Sequence, residues 1–583
     1  MTIDVQHGAP RFPTVSGGMP PTSQEALDAA IQAVHVKKDA WVALPIDERI
    51  VILGRLLQDF ADITPRWVAA LLHAKGIAAD SPARGEEWGA GAYPVVKMLR
   101  QLRQSLADIA QSGHPTIPGK VTARPDGQVI AQVFPQTGYD RLFFTGLQAE
   151  EWMEPGVTAG TLEQTQAEIY RDKNHEGKVA LVLGAGNVAS IAPADVLNKL
   201  FLEDQVVVLK MNPVNAYLGP MIEESFRALI DPGFLRVVYG GASEGAYLCN
   251  HPQIDEIHIT GSDKTFDAIV FGGGPEGAAR KASHEPLLSK RITGELSNVS
   301  PVIVVPGAWS EGDLSYQAEH IVTMLTNNAG FNCNATRVMI QHSGWQQRDQ
   351  LMQKIRHLLA SLAPRDAYYP GAKDRQRRFL AEHPEAEQFG SASAEQLPWT
   401  LVEGVDASNA KDICFTTEAF CGLFAETALD AEDAAAYIDR AVEFCNERLW
   451  GTLNATILVH PDALKQPGVA DAVERAVANL RYGSVGVNYW GGISFVLGTT
   501  TWGAFPGHPL HDIQSGTGVV HNTLMFAHPQ KAVLRAPFRI FPKPPWFATR
   551  GKQASKVFPK LVEFEAAPSS LKVPGIVLAS VTG

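Results

Sequence analysis

One cysteine in this sequence stands in a short polar loop where a substrate could reach it. Cys333 belongs to the segment Asn-Ala-Gly-Phe-Asn-Cys-Asn, directly after the helical pattern of residues 316–325. Upstream, Glu295 lies between two strand-like runs. A thiol nucleophile and a carboxylate that moves protons are the minimum for covalent chemistry at a carbonyl. A lone cysteine, by contrast, is ordinarily a buried and inert thiol.

The two motifs together resemble those of the aldehyde dehydrogenase superfamily. In that family an Asn-x-Gly-x-x-Cys loop carries the nucleophile and a Glu-Leu-x-x-x-Ser-Pro segment carries the general base, matched here by 328–333 and 295–301. The resemblance implies oxidation of an aldehyde to a carboxylate through a thiohemiacetal and a thioester on Cys333. Glu295 would activate water, as a carboxylate of raised pKa can.

Two alternatives remain open at this point. Branches of the family that transfer the acyl group to coenzyme A generally lack the glutamate, so Glu295 favours hydrolysis over a coenzyme A-acylating reductase. A catalytically silent nucleotide-binding scaffold is the other alternative, because two of the family's turns are altered here. The retained thiol and base count against it.

Asn187 has two functional interpretations, besides that of an ordinary turn residue. It lies in Gly184-Ala185-Gly186-Asn187-Val188-Ala189, which follows a strand, precedes a helix and fits Gly-x-Gly-x-x-Ala, with Glu203 or Asp204 at the distance of a ribose contact. In the family the same place holds an asparagine whose amide stabilises the oxyanion, and the distance to Lys210 agrees with that assignment. We expect Asn187 to be the oxyanion donor.

The resemblance also implies the cofactor contacts. Lys210 ends a strand and corresponds to the lysine that binds the adenosine ribose. Three residues later the family's usual glutamate, which selects NAD, is replaced by Pro213. Without that carboxylate a 2′-phosphate is tolerated, so NAD and NADP both remain candidates.

Two further segments match the family's cofactor site, each with a departure. Gly261 and Ser262 resemble the turn where a helix amino terminus meets the pyrophosphate, but the family's following glycine is Phe266. Glu418 and Phe420 resemble the pair that holds the nicotinamide ribose and ring, although the Gly-Pro after the phenylalanine is Cys-Gly here.

The surrounding elements predict an α/β protein. Residues 23–110 are helical in pattern, whereas 112–178 hold only short β-like runs. From 178 onward β-branched runs alternate with amphipathic segments, which indicates parallel strands covered on both faces. The fold expected from the resemblance is a modified Rossmann cofactor domain, a second α/β catalytic domain and a β-rich oligomerisation element. We assign 1–22 to an irregular arm, 23–295 to the cofactor domain (with part of the oligomerisation element in 112–178), 296–507 to the catalytic domain and 508–583 to a C-terminal extension, either an oligomerisation element or a surface tail.

Composition limits the function classes. A net charge of −12 argues against nucleic acid as a partner. Five cysteines without a Cys-x-x-Cys pair, and no secretory signal pattern, favour the cytoplasm. The uncharged stretch 482–507 is long enough to cross a bilayer, but seven glycines favour buried loops and strands. Arg337 is interpreted as a structural ion-pair partner, no metal is assigned, and the family implies a homodimer or homotetramer.

Three features are left with weaker interpretations. Tyr489, Trp490, Phe495 and Trp502 could line a tunnel for an apolar aldehyde, or simply fill the core. Residues 531–560 hold eight Lys or Arg, no acid and several aromatics. This segment could touch an anionic membrane, but packing against the protein itself or a neighbouring subunit is favoured. The insertion at 271–284 has no assigned role.

Overall fold

A computed structural model describes residues 19–172 and 174–582. The predicted arm at 1–22 therefore falls largely outside the described residues. The helical layer predicted for 23–110 is confirmed, and Ser23 caps its first helix by accepting a hydrogen bond from the Ala26 N–H. The helices of this layer are Gln24–His35, Lys38–Val42, Ile46–Ala74, Arg84–Glu86 and Tyr93–Ser112.

A six-stranded sheet follows, and its five parallel strands agree with the α/β alternation predicted from residue 178 onward. Five strands are parallel, and a short antiparallel strand from the C-terminal region closes one edge. In sheet order they are Gly516–Thr517, Arg291–Glu295, Glu256–Thr260, Val179–Leu183, Val206–Lys210 and Leu235–Val238. The helices between them include Ile191–Phe201, Gly219–Ser225, Ala242–Asn250 and Asp263–Val270. Because the strands are parallel, Gly184, Lys210, Gly261 and Glu295 all come to the carboxyl edge of one sheet.

The second sheet has eleven strands, of which the central seven are parallel. In sheet order they are Val121–Ala123, Val129–Phe134, Gln148–Met153, Pro529–Arg535, Ser484–Val487, Asn454–Leu458, Ser300–Val304, Thr336–His342, Leu423–Leu429, Trp399–Val402 and Glu387–Phe389. Helices covering it include Glu311–Thr326, Arg348–Ser361, Ala434–Arg448 and Val469–Asn479. The three strands within 121–153 thus pair into this sheet, not into the cofactor-side sheet.

The C-terminal region is built into the fold. Pro529–Arg535, which the sequence assigns to an extension, forms an interior strand between Gln148–Met153 and Ser484–Val487. Its apolar residues Ala532, Val533 and Leu534 are fully buried. Two helices follow, Gly551–Ala566 and Val573–Val581. The first is tied to the helical layer by its Glu565 carboxylate, which pairs with the Arg100 guanidinium at 2.5 Å.

The uncharged stretch 482–507 is interior structure, as predicted. It contains the buried strand Ser484–Val487, two short helical turns and the buried strand Thr501–Gly503. Among the described residues, no helix has both the length and the apolar character needed to cross a bilayer. The insertion at 271–284 forms a helix, Gly274–Ala282, which an ion pair of 2.6 Å between Lys281 and Asp267 holds against its neighbour.

Candidate active site

The loop that carries Cys333 is shaped by a left-handed turn. Helix Glu311–Thr326 ends, Asn328 and Ala329 adopt φ values of 52° and 55°, and strand Thr336–His342 begins a few residues later. Asparagine tolerates this conformation because its short polar side chain bonds locally. The turn leaves Cys333 partly exposed, whereas the protein's other four cysteines are buried.

The side chain of Asn328 fixes this turn from both ends. Its amide nitrogen donates to the Asn187 carbonyl at 3.1 Å and to the Asn332 side chain at 2.9 Å. Its oxygen accepts from the Lys75 ammonium and the Tyr368 hydroxyl, each at 2.9 Å. Sequence analysis missed Lys75 and Tyr368, because no local pattern connects them to a loop so far away in the chain.

Arg337 connects the cysteine loop to the segment that carries Glu418 and Phe420. Its guanidinium is buried and donates to the carbonyls of Gly330 and Cys421, both at 2.6 Å. Burial lowers the pKa of this arginine. The predicted structural role stands, but Arg337's hydrogen-bond partners are backbone carbonyls, not the carboxylate of an ion pair.

The Cys333 thiol donates a hydrogen bond to the Glu295 carboxylate, with Sγ and Oε1 2.8 Å apart. The indole N–H of Trp502 donates to the other carboxylate oxygen at 2.7 Å, which fixes the carboxyl group. Burial raises the pKa of Glu295 to about 7, and burial next to Glu295 raises the pKa of the Cys333 thiol well above its usual range. Near neutral pH the pair therefore consists of a protonated thiol and a carboxyl group that is about half ionised, and the ionised form can accept the thiol proton.

Asn187 lies beside this pair. Its side-chain amide donates to the Phe331 carbonyl at 3.0 Å, which leaves the second amide hydrogen for another acceptor. The interpretation of 184–189 as a dinucleotide fingerprint is weakened, because both acidic residues that could contact a ribose already form ion pairs. Asp204 bonds Arg49 at 2.6 Å, and Glu203 bonds Lys199 at 2.7 Å.

Two cavities meet at Cys333. The first has a volume of about 520 Å³ and is called the apolar cavity. The second has a volume of about 400 Å³ and is called the polar cavity because most of its lining residues are polar or charged. The apolar cavity is lined by Val188, Ile191, Trp490, Phe495, Trp546, Phe547 and Phe558, among others. The polar cavity is lined by Asn187, Gly261, Ser262, Glu295, Glu418 and Phe420, among others. A thiol at such a junction can face one ligand from each side.

The aromatic residues predicted to form a tunnel divide into two groups. Trp490 and Phe495 line the apolar cavity. Trp502 instead bonds Glu295, and the Tyr489 hydroxyl accepts from the Trp546 indole at 3.4 Å. Trp546 and its C-terminal neighbours are cavity residues that the sequence analysis missed. The sequence does show several aromatic residues within 531–560, but no local sequence pattern indicates which surface of the protein they cover.

The predicted cofactor residues are brought together with one exception. Gly261, Ser262, Glu418 and Phe420 share the polar cavity with Cys333, whereas Lys210 lies outside its lining at the end of its strand. Phe266 is fully buried in the core, so the side chain that replaces the family's glycine does not enter the cavity.

Two polar groups are left without partners among the described residues. Glu418 Oε1 is buried and accepts no hydrogen bond, and burial raises the pKa of this carboxyl to about 8. The Lys210 ammonium, 8% exposed, has neither a hydrogen bond nor an ion pair, and burial lowers its pKa to about 8. Since buried polar groups normally have partners, both fit contacts to a bound polar ligand such as a nucleotide.

Comparison with known proteins shows the fold and a similarity to one enzyme family over part of the chain. The family model described as "Aldehyde dehydrogenase family" matches residues 188–372. Over this segment the chain is similar to aldehyde dehydrogenases. Its curated relatives include aldehyde dehydrogenase LUC3 from Fusarium sp, 29% identical over 167 residues, which are 29% of this chain and 32% of that protein. Human 4-trimethylaminobutyraldehyde dehydrogenase is 28% identical over 137 residues, 23% of this chain and 24% of the relative. The matches thus span no more than about a third of these relatives.

Solved aldehyde dehydrogenase structures cover far more of this chain. NADP-dependent glyceraldehyde-3-phosphate dehydrogenase from Bacillus halodurans, complexed with NADP, has a TM-score of 0.60 at 18% identity, covering 91% of this chain and 95% of that one. Aldehyde dehydrogenase C from Pseudomonas syringae, a mutant complexed with NAD⁺ and octanal, has a TM-score of 0.58 at 17% identity, covering 88% and 89%. At these identities the likeness shows the fold, which is the aldehyde dehydrogenase fold expected from the sequence.

Metal-ligating side chains also come together away from the cavities. His383, Asp412 and Cys414 are buried and close enough to hold a metal ion. Hydrogen bonds of His383 to Asp412 (3.0 Å) and Glu385 (2.9 Å) already satisfy both ring nitrogens, and we assign no metal there.

Proposed function

We propose that this protein oxidises an apolar aldehyde to a carboxylate with NAD or NADP. The observation that carries the proposal is the position of the Cys333 thiol. It is hydrogen-bonded to Glu295 at the junction of an apolar and a polar cavity. The match of residues 188–372 to the aldehyde dehydrogenase family model supports the same reaction class.

In the first half of the proposed reaction, the sulfur of Cys333 adds to the aldehyde carbon. Glu295 accepts the thiol proton across the 2.8 Å contact, which compensates for the raised pKa of the buried thiol. The carbonyl oxygen gains negative charge, and the free amide hydrogen of Asn187 and the Cys333 backbone N–H are the donors proposed to stabilise it. A bound NAD or NADP would accept the hydride that converts the thiohemiacetal into a thioester.

Before the second half, Glu295 releases the thiol proton to solvent. It then takes a proton from the water that attacks the thioester. The carbon–sulfur bond breaks, the proton on Glu295 passes to the sulfur to regenerate the thiol, and the acid product leaves as the carboxylate after losing its own proton. Trp502 holds the carboxyl group in place, and burial keeps its pKa near the value at which a base works best at neutral pH.

The polar cavity supports a nicotinamide dinucleotide as the cofactor. We propose that the unpartnered Glu418 oxygen accepts from a ribose hydroxyl, with Phe420 beside the ring. Gly261 and Ser262 open helix Asp263–Val270, whose amino terminus suits a pyrophosphate. Lys210 would bind the second ribose, and Pro213 permits either cofactor. Relatives of the same fold are complexed with NADP and with NAD⁺.

The apolar cavity supports an aliphatic or aromatic aldehyde as the substrate. Its walls carry tryptophan and phenylalanine from four separate parts of the chain, and its volume suits a medium-sized molecule. The structure with octanal supports the same class by analogy only. A cytoplasmic location and a homodimer or homotetramer remain predictions from the sequence.

The test is to mix the protein with octanal and NAD or NADP and follow the reduced cofactor. Cys333→Ser should abolish the signal. Glu295→Gln should slow thioester hydrolysis and yield at most one equivalent of reduced cofactor per site. If added coenzyme A is acylated and required for turnover, the acylating alternative is correct. If no aldehyde reduces either cofactor although both bind, the silent scaffold is correct.

A further inference from the structure

The basic residues of 531–560 divide into two groups with different surroundings. In the first group the charges are satisfied within the protein. The buried Lys531 ammonium donates to three carbonyls, Arg535 pairs with Glu474, and Lys543 pairs with Glu319. Packing against the protein's own body, the favoured interpretation of this segment, therefore accounts for these residues.

The second group has no ion-pair partners among the described residues. Lys552, Lys556 and Lys560 lie four residues apart along helix Gly551–Ala566 and are all exposed. Among the described residues, none of the three forms an ion pair. The opposite face of the same helix is buried, with Ala554 and Phe558 contributing to the apolar cavity. The outer face is thus a row of free cationic charge that intramolecular pairing does not explain.

The next helix, Val573–Val581, adds an apolar stripe to this surface. Ile576 and Ala579 are buried, whereas Val577, Leu578 and Val581 are 40%, 61% and 55% exposed. Leu571, just before the helix, is 89% exposed. Isolated apolar residues are common on protein surfaces, but a stripe of them on one helix face indicates a contact surface.

The cationic row and the apolar stripe lie on the same side of the molecule. The Lys556 ammonium reaches the carbonyl of Thr582, directly after the apolar helix, at 3.3 Å. Arg550 donates to the Ser580 carbonyl at 2.7 Å. We name the surface made by Lys552, Lys556, Lys560, Leu571, Val577, Leu578 and Val581 the C-terminal face.

We propose that the C-terminal face binds peripherally to an anionic lipid bilayer. Lysines beside exposed aliphatic side chains match the headgroup region, where the ammonium groups stay with lipid phosphates and the side chains enter the acyl boundary. Because the whole chain has a net charge of −12, an anionic surface repels most of the molecule. Binding must therefore depend on this local patch. The surface is independent of the aldehyde reaction proposed above.

The test is flotation of the full-length protein with vesicles of phosphatidylcholine, alone or with phosphatidylglycerol. We expect recovery with the anionic vesicles, weakened by salt. The triple variant Lys552→Gln/Lys556→Gln/Lys560→Gln should bind about 100-fold more weakly, since each lysine near an anionic surface contributes about fivefold. The variant Leu578→Asn/Val581→Asn should bind about tenfold more weakly or worse, since the buried methylenes are lost.

Matched controls distinguish binding by this surface from nonspecific binding to vesicles. Exposed lysines elsewhere (Lys120→Gln/Lys411→Gln/Lys465→Gln) and the exposed Val36→Asn should leave vesicle binding unchanged. Equal recovery with neutral and anionic vesicles, or no recovery at all, would overturn the proposal. So would a loss of oligomer mass in the Leu578 and Val581 variant, measured by light scattering, because the face would then belong to a second copy. The circular dichroism spectrum and thermal unfolding of each variant show whether the protein is folded, whatever its activity.

Discussion

Replacing Glu295 with glutamine should stabilise the folded protein at neutral and alkaline pH while removing the proposed base. Glu295 is 3% exposed, with no cation among its hydrogen-bond partners, and burial raises its pKa from the ordinary value of 4.5 to about 7. The folded state therefore keeps this proton over a pH range in which the unfolded chain has released it. The free energy of unfolding must consequently fall as the pH rises from about 4.5 to about 7, and then stay level.

The size of the effect follows from the two pKa values. Since a tenfold change in the acid constant corresponds to about 1.4 kcal/mol, the full difference amounts to about 3 kcal/mol. About 2.5 kcal/mol of it is lost between about pH 5 and pH 8. Glutamine does not titrate and has nearly the same shape. Glu295→Gln should thus nearly equal the parent protein at about pH 5 and exceed it by about 2–3 kcal/mol at about pH 8.

Urea unfolding at a series of pH values measures this difference directly. Other buried carboxyls with raised pKa, such as Glu418, affect both proteins equally and cancel in the comparison. Glu151→Gln is the matched control and should show a similar pH-dependent gain in stability. Burial also raises the pKa of Glu151 to about 7, but at a site away from the thiol. The exposed Glu432→Gln should show no pH-dependent difference. Parallel curves for the parent and Glu295→Gln would refute the reasoning, because Glu295 would then have an ordinary pKa.

Three further substitutions test other parts of the site. Trp546→Ala should raise KM for octanal about 10-fold or more, because burial of the substrate chain against the indole contributes about 2 kcal/mol to binding. The kinetics with acetaldehyde should stay unchanged. An equal effect on both aldehydes would remove Trp546 from the substrate site. Pro213→Glu should lower kcat/KM with NADP at least tenfold more than with NAD, because a carboxylate would face the 2′-phosphate; no change in preference would argue against Lys210 as the ribose contact. Lys75→Met should lower the free energy of unfolding, measured with urea, by about 3–5 kcal/mol. The substitution leaves the buried Glu87 carboxylate without the Lys75 ammonium, whose Nζ lies 2.8 Å away. Adding Glu87→Gln should recover part of that loss, and no recovery would mean that the ion pair is not the cause.

The local parts of this protein could be predicted from its sequence. Strands such as Val179–Leu183 and Glu256–Thr260 are continuous β-branched or apolar runs, and their period and composition suffice to locate them. The motif residues Cys333 and Glu295 were likewise recognisable from neighbouring residue types. Their roles in catalysis remain a proposal, but the structure brings them within hydrogen-bond distance.

Other features depended on contacts that no local pattern encodes. The strand Pro529–Arg535 pairs with Gln148–Met153, which lies far away in the chain. The sequence analysis had assigned Pro529–Arg535 to a C-terminal extension. Phe266 departs from the family pattern, and only the packing shows that its ring is in the core and outside the cavity.

The sequence by itself determined which chemical groups are available: a thiol in a polar loop, a carboxylate at a strand end, and an amide after the first parallel strand. Only the tertiary structure decided what surrounds them. The pKa of Glu295 depends on how much water the packing excludes, and the apolar cavity exists because Trp546 is carried to it by the C-terminal region. Burial and convergence result from many elements packing at once, whereas residue order records only the neighbours along the chain.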